Sequence, residues 1–85
     1  MRHAEIVQEI KKIIIQKIGL RINLDDLNEN DSLYLLGLDS VGTITLAIAL
    51  EENFNIVIND EDFNLALFNN ISTLAKYIEQ KTIIL

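Results

Sequence analysis

Two Asp-Ser dipeptides stand in the stretch NDSLYLLGLDSV, Asp31-Ser32 and Asp39-Ser40. An acid beside a serine, just ahead of an apolar segment, suits a helix cap, a site of covalent modification, or part of a nucleophilic device. The third use fails on spacing. A nucleophile elbow needs glycine two residues before its serine, and Leu38 stands there instead. The sole histidine, His3, is far away in sequence and is expected to be a solvated residue near the N-terminus. The acidic triplet Asp60-Glu61-Asp62 lacks the spaced ligands, central glycine and closing glutamate of a calcium loop, and reads as an acidic helix start. There is no cysteine, no His/Cys cluster and no glycine-rich phosphate loop. No metal site and no catalytic residues are therefore expected, and the chain is not read as an enzyme.

Ser40 remains open to two readings. As an N-cap it would satisfy backbone N–H groups at a helix start. As a modification site it would set an attached phosphodiester against the free N–H groups and partial positive charge of that helix end, with Asp39 helping to hold a metal-bound phosphate donor.

The surrounding elements follow from periodicity. Ile6, Ile10, Ile13 and Ile14 recur at helical spacing, which predicts a first helix over 4–18 ended by Gly19. Residues 20–39 form a long connection whose leucines are expected to pack it down, with a short helical turn near 33–36. A second helix is predicted over 40–53. Its core face is Thr43, Leu46, Ala47, Leu50 and Phe54, while Val41, Ile44 and Ile48 lie roughly opposite. An 85-residue chain can hardly bury a helix on all sides, so these three are assigned to a partner surface. Residues 56–59 read as extended and 60–67 as a short helix. A last helix over 73–81 is expected to be capped by Ser72, followed by an apolar tail, Thr82-Ile83-Ile84-Leu85, with no evident role. The fold class expected is all-α, one domain over 1–85.

Composition narrows the partners. Between Ile22 and Ala75 there are ten Asp or Glu and no Lys or Arg, inside a chain of net charge −6. Such a surface repels phosphate backbones and excludes nucleic acid as a ligand, while attracting basic patches on proteins. No apolar run approaches a bilayer's thickness and no signal-peptide pattern opens the chain, so a cytoplasmic monomer away from membranes is expected.

The stretch LGLDSVGTITLAIALEENF, residues 36–54, resembles the phosphopantetheine attachment region of acyl and peptidyl carrier proteins. Leu36, Gly37, Asp39 and Ser40 match the family's Leu-Gly-x-Asp-Ser, Val41 replaces its leucine, and Leu46, Leu50, Glu51, Glu52 and Phe54 match the helix that follows. IVQEIKKIIIQKIGL resembles the family's first helix, DLNENDSLYLLGLDS its loop, and FNNISTLAKYI its ending, with Asn70 in place of threonine. The likeness covers residues 5–81. It implies a right-handed bundle of three long helices and a short one, with 4′-phosphopantetheine attached to Ser40 by a phosphopantetheinyl transferase and Asp39 supporting that modification. The arm would carry acyl or aminoacyl groups as thioesters between enzymes of fatty-acid, polyketide or related biosynthesis. Val41, Ile44, Ile48, Glu51 and Glu52 would meet partners that bear basic patches. General fatty-acid carriers usually place acids at the positions of Gly42 and Thr45, and the run DSVGT is closer to D-alanyl carriers. A D-alanyl or peptidyl carrier is thus the alternative. An unmodified carrier-like interaction domain is a remoter one.

Overall fold

In the computed structural model, residues 2–20 and 22–82 are described; the apolar end at Ile83, Ile84 and Leu85 lies outside them. Three α-helices, α1 (His3–Ile13), α2 (Ser40–Phe54) and α3 (Ile71–Thr82), form the framework, and no strand occurs among the described residues. None of these helices is long and apolar enough to cross a membrane.

α1 buries Ile6, Val7, Ile10 and Ile13, one stripe at helical spacing, and packs chiefly against α3. Its predicted continuation to Ile18 is present, but as a π-helical turn, Ile14–Ile18, closed by the Gly19 N–H donating to the Ile14 carbonyl at 3.1 Å. Gly19 ends the segment with φ of 71°, a left-handed conformation that glycine adopts without Cβ strain. The π turn rests against α2. Ile18 Cγ2 lies 3.5 Å from the position that a Cβ on Gly42 would occupy.

The connection from Gly19 to Asp39 carries one 3-10 turn, Leu24–Asp26, and hydrogen-bonded turns over 33–37. Leu27, Leu33 and Leu38 are buried in the core and Leu36 packs against it. Two backbone bonds join this segment to the start of α3. The Leu33 N–H donates to Asn69 O at 2.8 Å, and the Ser72 N–H to Glu29 O at 2.9 Å.

Two expectations are corrected beyond α2. The short helix over 60–67 is a single 3-10 turn, Asp60–Asp62, followed by a separate turn over 65–68. Its side chains are spent otherwise. Asn64 Oδ1 accepts the Leu67 N–H at 3.0 Å, and Asp62 accepts the Tyr77 hydroxyl at 2.8 Å, so local polar bonds compete with helical ones. Phe63 and Leu65 remain exposed, which leaves Leu67 and Phe68 as the segment's anchors in the core. The cap of α3 is Asn70 rather than Ser72. Its Oδ1 accepts the Thr73 N–H at 2.8 Å and the Thr73 hydroxyl at 2.9 Å. The helix therefore begins two residues earlier than predicted and buries Ile71, Leu74, Ala75 and Ile78.

Candidate functional site

α2 opens with a division of labour between Asp39 and Ser40. Asp39, extended at φ −103° and ψ −175°, is the N-cap, and its carboxylate accepts the Gly42 N–H at 2.7 Å. Its carbonyl accepts both the Thr43 N–H and the Thr43 hydroxyl at 2.8 Å. Ser40 is the first helical residue, so the cap reading of Ser40 is corrected to Asp39. The consequence is chemical. Ser40 is exposed, and no hydrogen bond engages its hydroxyl among the described residues. The oxygen stands at the positive end of a 15-residue helix, where an anion attached to it would be stabilised. Just before it, Gly37 turns the chain with φ of 111°, a value that a side chain would strain.

The two faces of α2 divide as read from the sequence. Thr43, Leu46, Ala47, Leu50 and Phe54 are buried. Val41, Ile44 and Ile48 remain 73%, 54% and 50% exposed. Glu52 is exposed near the C-terminal end of the helix. Glu51 is half-buried, and its carboxylate accepts the Ile58 N–H at 2.8 Å, so it belongs to the turn that leaves α2. Asn55 ends the helix in the left-handed region, φ 55°, with its N–H donating to Glu51 O.

An open trough of about 390 Å³ between α2 and the segment around residue 65 is lined by Tyr34, Leu38, Ser40, Ile44, Phe63 and Leu65. Its walls are tied across the chain. The Tyr34 hydroxyl donates to Leu65 O at 2.8 Å, and Phe63 packs on Phe68 with ring centroids 5.1 Å apart. Burial pushes the Tyr34 hydroxyl above its ordinary pKa. Tyr34, Phe63 and Leu65 were not singled out from the sequence, because they stand in irregular segments whose lack of periodicity does not mark which side chains stay at the surface. A larger hollow of about 470 Å³, between the π turn and α2, is lined by Ile13, Gln16, Lys17, Ile48 and Glu52 and does not include Ser40.

His3 is not the solvated residue expected. It bridges Glu29 and Glu79 with its two ring nitrogens, and no hydrogen bond joins it to Ser40 among the described residues. No cluster of three metal-ligating side chains occurs among the described residues.

A free serine hydroxyl after a capping aspartate, with an exposed apolar stripe beside it, suits a residue acted on by another protein. The family model described as "Phosphopantetheine attachment site" matches residues 8–78. The chain belongs to this family of carrier proteins. A curated relative, the acyl carrier protein of Buchnera aphidicola subsp. Acyrthosiphon pisum (strain Tuc7), is 34% identical over 80 residues, covering 92% of this chain and 94% of the relative. Carrier proteins of this family are not enzymes; they take phosphopantetheine covalently. Family membership also implies a phosphopantetheinyl transferase and acyl-handling enzymes as partners.

Proposed function

We propose that this chain is a discrete, single-domain acyl carrier, a monomer of the cytoplasm, with 4′-phosphopantetheine attached to Ser40. The observation that carries the reading is the release of the Ser40 hydroxyl from capping duty by Asp39. A transferase that engages this helix start would find the oxygen exposed and the carboxylate of Asp39 close to the donor's metal-bound phosphates. The arm supplies a terminal thiol that holds an acyl group as a thioester. This chain's residues would orient the arm: the α2 N-terminus would stabilise its phosphodiester, and the trough beside Tyr34, Ile44, Phe63 and Leu65 would offer apolar surface to an acyl chain.

Val41, Ile44 and Ile48 are the docking anchors in this reading, with Glu52 as the acidic rim and Glu51 held to the Ile58 turn. Enzymes of fatty-acid, polyketide or related biosynthesis that carry basic patches are the partners. Gly42 and Thr45 leave the first turns of α2 uncharged, which supports a D-alanyl or peptidyl carrier as the alternative; the loading enzyme discriminates between them.

Incubation with coenzyme A, magnesium and a promiscuous transferase should add the mass of one arm, and Ser40→Ala should gain none. A wild-type chain that gains nothing refutes the carrier reading and leaves the unmodified interaction domain. Ile44→Asp and Ile48→Asp should slow modification or partner turnover with helicity unchanged by circular dichroism. Loss of fold in these variants would instead make both residues part of the core.

A further inference from the structure

His3 is the only histidine in the chain, and both of its ring nitrogens are engaged. Nδ1 lies 3.2 Å from Glu79 Oε2 on α3, and Nε2 lies 3.2 Å from Glu29 Oε1 in the connection. An ionised carboxylate only accepts hydrogen bonds, and a neutral imidazole has one N–H. The neutral ring would therefore set a lone pair against one of the two carboxylates. Only the imidazolium donates to both. The carboxylates grip opposite edges of the ring, so they bracket a proton-bearing group and do not converge on a point where a metal ion would sit.

We infer that protonated His3 is a clasp that joins the start of α1 to the connection and to α3, and that the fold loses stability when the clasp gives up its proton. The backbone around it has the form such a clasp needs. The Ser72 N–H already ties Glu29 O to α3 at 2.9 Å, so the Glu29 carboxylate is presented from an anchored residue. The Thr82 hydroxyl donates to Ile78 O and Glu79 O, which steadies the turn bearing Glu79. Among the described residues, the charged groups bonded to the ring are Glu29 from the connection and Glu79 from α3. Arg2 and Glu5 on its own side of the molecule, and Lys76 one turn before Glu79, make no bond to it.

The direction of the pH effect follows. The hydrogen bond to Glu79, then that to Glu29, raises the His3 pKa above its ordinary 6.5, against a smaller opposing effect of desolvation. A folded-state pKa above the unfolded one means that the clasp contributes fully below about pH 6.5 and is lost as pH rises through the folded value. The ring and both carboxylates are about one-third exposed, so the effect is that of a partly solvated ion pair. The clasp sits at the start of α1, whereas Ile18, which packs beside the start of α2, lies at the end of the π turn that continues α1; helical rise separates the two by roughly 20 Å. It therefore acts on the fold and not on the arm.

The test is to follow the His3 ring protons by NMR from about pH 5 to about pH 9 in the folded chain, the range in which an imidazole titrates. Thermal unfolding of the wild type and His3→Gln over the same range accompanies it. His3 should titrate above 6.5, and lower in Glu29→Gln and in Glu79→Gln than in the wild type. The wild type should exceed His3→Gln by a few degrees in Tm at the acid end, the two converging at the alkaline end. The Ser72 amide should exchange faster in His3→Gln. A His3 midpoint at or below 6.5, or parallel pH profiles for wild type and variant, would overturn the inference. Should His3→Gln fail to fold, the titrations of the wild type and of the two glutamine variants decide it.

Discussion

Asp31-Ser32-Leu33 and Asp39-Ser40-Val41 are nearly the same tripeptide, placed in the fold with opposite assignments. In the first, Asp31 accepts the Asn28 N–H at 3.1 Å, and the Ser32 oxygen faces the Leu35 N–H at a long 3.5 Å, so the serine heads its own turn. In the second, the aspartate takes the cap and the serine is left free. The third residues differ most. Leu33 is fully buried, whereas Val41 is 73% exposed. One tripeptide staples a connection to the core and the other presents a hydroxyl beside an exposed apolar stripe. The difference teaches that a reactive position is made by relieving the side chain of structural duty, which the neighbour performs in its place.

The widest gap between the two copies concerns modification. Ser32→Ala should take the arm at the wild-type rate and Ser40→Ala should take none, read by intact mass and by the modified peptide. A pantetheinylated peptide containing Ser32 would break the comparison. The next gap is in stability. Leu33→Ala removes a fully buried side chain and should cost about 2–5 kcal/mol, enough to unfold much of a small domain, whereas Val41→Ala should stay within about 0.5 kcal/mol. Chemical denaturation of both variants measures this. The smallest gap is between the acids. Asp39→Ala loses a helix cap and should lower stability by about 1 kcal/mol, or about 4–8 °C in Tm, while Asp31→Ala, which loses a weaker turn bond, should lower it by less. Equal losses would mean that Asp39 is no more a cap than Asp31.

Much of α2 was legible in the sequence because its two apolar sets are separated by angle alone, and a chain of this size has only one core to share between them. The end of the first helical segment was legible because Gly19 has a conformation that few other residues adopt. Features set by competition were not. Asp39 and Ser40 are both good caps, as are Asn70 and Ser72, and which member of each pair wins depends on where the chain enters the helix. The π turn is closed by the Gly19 N–H on the Ile14 carbonyl, five residues back, a bond that periodicity does not register. The segment after Asp60 lost its helix to bonds from Asn64 and Tyr77. The contacts of His3 join residues 26 and 76 positions apart, a pairing that no local pattern carries.

One feature of α2 reaches beyond its own length. Because apolar side chains stand on both sides of this helix, its sequence gives little torque toward any single orientation about its long axis. Rotated by half a turn, it would show the core Val41, Ile44 and Ile48, with Thr45 and Glu52 among them. The ends add to what holds the azimuth, through the Asp39 cap and the close seat of Gly42 against Leu38 and Ile18 at one, and through Asn55 and the Glu51–Ile58 bond at the other. α2 is a spindle held in two bearings, and loosening either bearing would let the stripe beside Ser40 roll toward the core.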